Sequence, residues 1–358
     1  MINEKTFTKE WLITVNKKLG WNRQESQLKN LEKAMAALYL LENLQFSGLQ
    51  FIFKGGTSLL LILEHIYRLS VDIDIILKSK PENIAFDFDR LCGNSRLFYR
   101  WEKQTRESDE LFDCEHYRFF YHPYADEGEE SYILLDLYFS ENLYTNLMEL
   151  EIAADILLSE GINLSVTVPT VDCILADKLT AFAPGTIGIP LSAEPGKRPK
   201  RVEVLKQLFD IGNLFDLCED INTIRKTYIN IAEHEINQIK KSLTHFDVLE
   251  DTLDYALIIG HGGSIDKEKY NSVRKGFGDF NRFVADLSFD ESKAVLAASK
   301  TAYLVTLLKS DYSGDIQKYS DSIDMAQWVI KQNEYKTFND YKFSNPQAFF
   351  YWYKTFNT

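Results

Sequence analysis

Asp72 and Asp74 stand one residue apart in the apolar run 71–77, and FIFKGGTS (Phe51–Ser58) precedes them. In a strand, positions i and i+2 share a face, so both carboxylates point one way while Ile73, Ile75 and Leu77 point the other. Carboxylates held there need a partner, and a divalent cation with oxygen ligands suits them. Taken alone, D-x-D also fits a plain amphipathic edge strand. Asp136 sharpens the choice: in YILLDLYFS (Tyr132–Ser140) it interrupts a stretch that is apolar on both faces, where a lone carboxylate is rare. Three carboxylates on adjacent strands can hold two Mg²⁺ or Mn²⁺ ions about 3.5–4 Å apart. Such a site activates an attacking hydroxyl and stabilises leaving pyrophosphate.

Gly55 and Gly56 allow backbone to approach a phosphate, and Thr57 or Ser58 opens the next helix with a hydroxyl and unbonded N–H groups. A helix cap alone would account for one hydroxyl. No GKS/T follows, so the turn is not a Walker A loop. Arg68 and Ser70 lie just before the Asp pair; Arg68 either orients the strand or contacts phosphate. Lys178 has Ile174, Leu175, Ala181 and Phe182 as helical neighbours. It either snorkels from a buried stripe or grips a triphosphate as a point charge. Asp210 falls nearly opposite the stripe Val204, Leu208, Ile211, Phe215, which reads as a solvated charge.

These residues need positioning elements. The pattern predicts helices over 8–18 and 25–45, the second with Leu28, Leu31, Met35, Leu38 and Leu41 on one face. Strands follow at 51–54, 71–77, 117–121, 131–139 and 147–152, with a helix at 57–67. The acidic stretch 126–130 reads as a solvated hairpin turn. After about Thr170 the pattern turns helical, beginning with 172–183 and 203–218 around a Pro/Gly-rich loop. The expectation is an α+β fold: residues 1–169 form a small mixed sheet flanked by helices, and 170–358 a mostly helical domain.

At 358 residues and 45% hydrophobic, the chain can bury a substantial core, which excludes disorder. No apolar run reaches the ~20 residues of a membrane span, and MINEKTFTKEW lacks signal-peptide order, so cytoplasm is expected. Cys92, Cys114, Cys173 and Cys218 are scattered, against a zinc site or disulfide frame. The six histidines show no ligand spacing, and the aromatic tail Phe349–Tyr353 is expected to dock on the core. A net charge of −13 excludes a general nucleic-acid coat. The local basic segment Lys197, Arg198, Lys200, Arg201, Lys206 fits either a solvated loop or a phosphate track.

KGGTSL (Lys54–Leu59), R-x-S-x-D-I-D (Arg68–Asp74), A-D-K-L-T-A (Ala176–Ala181) and K-Q-L-F-D-I (Lys206–Ile211) together resemble the AbiEii/AbiGii toxin family of nucleotidyltransferases. That family belongs to the DNA polymerase β-like superfamily and is related to the MenT toxins, which add nucleotides to tRNA ends. The resemblance runs from about residue 50 to 220. It implies a polymerase β-like nucleotidyltransferase domain, with Gly55, Gly56, Thr57 and Ser58 at the nucleotide phosphates and Asp72 and Asp74 at the metals. It places Lys178 at the triphosphate, makes Asp210 a residue needed for activity, and fits Asp136 to the third carboxylate. Many members carry Arg before the later aspartate; this chain has Phe209.

The expected activity is Mg²⁺-dependent transfer of NMP from an NTP to a hydroxyl, with a tRNA 3′ end as candidate acceptor. The expected role is the toxin of a toxin–antitoxin or phage-defence pair whose antitoxin is a separate protein. A catalytically silent nucleotide sensor or scaffold is the alternative. A two-metal nuclease is disfavoured by the GGTS turn and Lys178.

Overall fold

The computed structural model describes residues 1–20, 25–105, 113–125, 128–191, 199–285 and 288–357. The chain forms two compact units, one of 1–142, 147–170 and 282–288, the other of 143–146, 171–281 and 289–358.

In the first unit, seven strands among the described residues make one mixed sheet: β1 (Ile52–Lys54), β2 (Ile73–Leu77), β3 (Arg100–Gln104), β4 (Cys114–Tyr121), β5 (Ser131–Phe139), β6 (Leu147–Glu151) and β7 (Ser165–Pro169). Their order is β3-β4-β5-β2-β1-β7-β6, with β2/β5 and β1/β7 parallel and the other neighbours antiparallel. The helices of this unit are α1 (Lys9–Lys18), α2 (Glu25–Phe46), α3 (Gly55–Ile62) and α4 (Ile84–Asn94). Alternation along the strands sends Phe53, Ile73, Ile75, Leu77, Ile133, Leu135 and Leu137 into one core. Leu31, Met35, Leu38 and Leu41 of α2 and Phe88 of α4 join it, as the helical spacing requires. The opposite sheet face therefore takes Asp74 of β2, Asp136 of β5 and His116 of β4. The α+β class and the mixed sheet agree with the sequence pattern.

Strands β3 and β7 and helix α4 have no counterpart in that pattern, β4 starts at Cys114 instead of 117, and two further elements differ at their ends. Strand β2 begins at Ile73, not Val71, because β1 ends at Lys54, opposite Asp74. The chain beyond Lys54 turns at once into α3, and the Asp72 carbonyl accepts the Thr57 hydroxyl instead of a ladder bond. Helix α3 starts at Gly55 and stops at Ile62. Beyond it the chain is drawn extended by a distant partner: Leu69 N–H donates to Phe283 C=O, Ala285 N–H donates to Tyr67 C=O, and Arg68 bridges Val284.

The second unit contains α5 (Val171–Ala181), α6 (Arg201–Leu217), α7 (Ile221–Ile239), α8 (His245–Gly260), α9 (Lys267–Arg274), α10 (Phe277–Phe280), α11 (Glu291–Lys309), α12 (Tyr341–Ser344) and α13 (Pro346–Asn357). Helix α11 is buried almost all round, from Ala294 to Leu308, and packs on α6, α8 and α13. The aromatic tail docks as expected: Phe349, Phe350, Tyr351 and Trp352 are buried, and Trp352 stacks on Phe338. The cysteines are all thiols. No helix among the described residues is long and apolar enough to cross a membrane.

Candidate active site

The sheet register assembles the carboxylates. Asp74 on β2 is the direct partner of Asp136 on the parallel strand β5. Partners in register share a face, about 4.8 Å apart across the ladder, so both side chains stand on the polar face. Lys54 is the antiparallel partner of Asp74, and His116 on β4 is the antiparallel partner of Asp136. One row across four strands thus reads Lys54, Asp74, Asp136, His116. The Lys54 ammonium also lies 4.5 Å from the centre of the Tyr138 ring, two residues along β5.

The glycine turn is fitted to this row. Gly55 has φ +76°, and a Cβ there would come 2.2 Å from Asp74 Oδ2. A Cβ on Gly56 would come 2.7 Å from Arg68 Nη2 and 2.8 Å from Ser70 Oγ. Only glycine lets the turn close onto both the carboxylate and the Arg-x-Ser segment. The start of α3 carries no side-chain cap. As in any first helical turn, the N–H groups of Gly55 to Ser58 lack intrahelical acceptors, and the helix dipole favours an anion beside them.

Each remaining expected residue has a definite place. The Thr57 hydroxyl donates to Asp72 C=O, and the Ser58 hydroxyl donates to Gly55 C=O at 2.8 Å. Both side chains are buried, so these residues can offer a phosphate their backbone N–H rather than their hydroxyl protons. Arg68 is 6% exposed, and its Nη1 donates to Leu69 C=O at 3.0 Å. Of its two readings, a strut beneath the turn matches this burial. Asp72 lies just before β2, half-buried, and its charge acts on Lys33 of α2. Burial pushes the Lys33 pKa down, and the negative charge of Asp72 opposes that shift.

In the second unit, Lys178 on α5 and Asp210 on α6 form an ion pair at 3.1 Å, with the side chains 7% and 2% exposed. The solvated reading of Asp210 is corrected. Helix α6 is buried well beyond one stripe, with Leu205, Gly212 and Leu214 inside as well as Leu208 and Ile211. Asp210 therefore faces inward and compensates a buried lysine. Of the basic segment, Lys197 and Arg198 lie outside the described residues; Arg201 begins α6, its Nε 3.4 Å from Ser272 Oγ.

Among the described residues, no three His, Cys, Asp or Glu side chains are gathered as a ready-made metal cage. A Mg²⁺ site does not require one, since this ion commonly uses one or two carboxylates plus substrate phosphates. The hard-oxygen pair Asp74/Asp136, beside an uncapped helix start, fits that donor set. Sequence reasoning missed His116 and Lys54 as members of the row. Lys54 lay in an expected strand and His116 just before one, but the register that aligns them is not written in either segment.

No curated protein matches the chain in sequence. Among solved structures, the crystal structure of an antigenic nucleotidyltransferase-like protein from Paracoccidioides brasiliensis is similar at 11% identity and a TM-score of 0.36. That likeness covers 60% of this chain and 94% of that one, and is too distant to bear on residue roles. Residues 38–294 match the family model described as Nucleotidyl transferase AbiEii toxin, Type IV TA system. The chain therefore belongs to the AbiEii toxin family and is a nucleotidyltransferase.

Proposed function

We propose that the protein transfers NMP from an NTP to a hydroxyl acceptor with the help of Mg²⁺ or Mn²⁺, and that the acceptor is the 3′ end of a tRNA. The observation that carries this reading is the register pair Asp74–Asp136 with Gly55 closed against Asp74. Asp74 and Asp136, with Asp72 at the strand entrance, would hold the cation. When bound, it supplies Lewis-acid stabilisation of charge on the phosphoryl oxygens. The N–H groups of Gly55 to Ser58 orient the phosphate chain, and Arg68 braces the turn from below. The acceptor hydroxyl gives up its proton to solvent as its oxygen bonds the α-phosphorus, the bond to the β-phosphate breaks, and pyrophosphate leaves with that electron pair. Little covalent work falls to the protein, so placement and charge compensation carry the rate.

By its motif, Lys178 serves the triphosphate and Asp210 keeps its ammonium charged and placed. The helical part, residues 170–358, would present the acceptor, and residues 1–169 the catalytic sheet. As a member of a type IV toxin family, the protein would be countered by a separate antitoxin protein in the cytoplasm. The test is incubation with each α-labelled NTP, Mg²⁺ and total tRNA, followed by sequencing of RNA ends. Lengthened 3′ ends with released pyrophosphate support the reading. Bound nucleotide without transfer would make the protein a sensor, and shortened RNA would make it a nuclease.

A further inference from the structure

Residue His116 is not part of any motif that carries the family resemblance, yet it ends the catalytic row. It sits directly opposite Asp136 in the β4/β5 ladder, and its Nδ1 lies 2.7 Å from Asp136 Oδ1. The ring is 7% exposed and the carboxylate 14%, so water competes little for this bond. An ionised carboxylate can only accept, so the shared proton belongs to Nδ1. The other ring nitrogen, Nε2, is 3.8 Å from Cys114 Sγ, two residues back on the same face of β4. A thiol donating to Nε2 and Nδ1–H donating to Asp136 are mutually consistent and select one tautomer. Cys114, His116 and Asp136 thus lie in one line across the sheet, and the Nδ1–H bond ties down one oxygen of the carboxylate next to Asp74.

We propose that His116 is a positioning residue: its Nδ1–H holds the Asp136 carboxylate in the orientation needed to share a divalent cation with Asp74. The inference rests on the reading of Asp136 as a cation ligand. Partners that orient ligating groups are typically worth 10–100-fold in metal affinity. A merely structural histidine would instead need only a polar group of similar size.

The amide analogues separate the two roles. In Asn the side-chain nitrogen falls where Nδ1 stands, whereas in Gln it falls where Nε2 stands. Mn²⁺ binding to the full chain, read from the EPR signal of unbound Mn²⁺ without nucleotide, is the measurement. His116→Ala and His116→Gln should weaken binding about 10–100-fold. His116→Asn should restore it to within about threefold of the parent, on the same scale of effect. If the Ala form does not fold, the Asn/Gln comparison still decides. Parent-like binding by the Ala or Gln form, or equal losses in the Asn and Gln forms, would overturn the inference. Asp136→Asn distinguishes the two levels. If it leaves Mn²⁺ affinity unchanged, the ligand reading of Asp136 falls and the inference with it. If it weakens binding while His116→Ala does not, only the role of His116 falls.

Discussion

Gly55 closes against Asp74 so tightly that an added methyl group would meet the carboxylate oxygen at 2.2 Å. The same carboxylate is the register partner of Asp136, so the turn and the acid pair are one mechanical unit. The glycine and the aspartate are 19 residues apart, and the R-x-S segment between them braces the neighbouring Gly56.

Gly55→Ala combines that clash with a left-handed backbone, and is expected to cost about 1–3 kcal/mol. Urea unfolding measures the stability change. Nucleotidyl transfer should fall at least about tenfold, since a misplaced positioning group costs up to about 10²-fold. A fully active Gly55→Ala protein would contradict the packing described.

Lys178→Met removes the ammonium that stands 3.1 Å from the buried Asp210 carboxylate. The expected destabilisation is about 3–5 kcal/mol, the usual cost of breaking a buried pair. Replacing both residues, Lys178→Met with Asp210→Leu, should recover most of that stability, because apolar pairs of similar volume are often neutral. Transfer should stay abolished in the double variant. Recovered transfer would show that the pair is structural only.

Glu115 on β4 predicts a pH dependence. Burial raises its pKa, but bonds from Lys103, Lys80 and Tyr117 outweigh burial and hold it down at about 2, against an ordinary 4.5. A depressed carboxylate contributes stability that is present above the unfolded pKa and lost as pH falls through the folded one. The loss should therefore begin below about pH 4.5 and continue to about pH 2. Thermal melting of Glu115→Gln across that window should show a shallower acid slope than the parent. Equal slopes would assign the acid sensitivity to other groups.

Legibility varied with how local each cause was. Strand β5 matched its sequence pattern residue for residue because Tyr132–Phe139 is a short apolar run, broken only by Asp136 and bounded by polar turn residues. Strand β3, RWEKQ, carries the charges typical of a protected sheet edge and has no apolar alternation to reveal it. The early end of α3 depends on pairing with residues 283–285, more than 200 positions away, which no local pattern encodes. Asp210 was misjudged on pattern alone because a helix enclosed on several sides has no solvent face to infer. Residue types alone singled out Asp72, Asp74 and Asp136 as candidates, and the register brings Asp74 beside Asp136. The row Lys54–Asp74–Asp136–His116 emerged only from register.

One measurement bears most directly on the acid pair as the catalytic centre: transfer of α-labelled nucleotide to tRNA by Asp74→Asn and Asp136→Asn beside the parent chain. Each variant is nearly isosteric, so the sheet should persist and melting should change little. The predicted result is a loss of at least about 10²-fold in labelled RNA for both variants, the scale expected when electrostatic stabilisation at the reacting phosphoryl group is removed. Parent-level labelling by either variant, with its fold intact, would contradict the account.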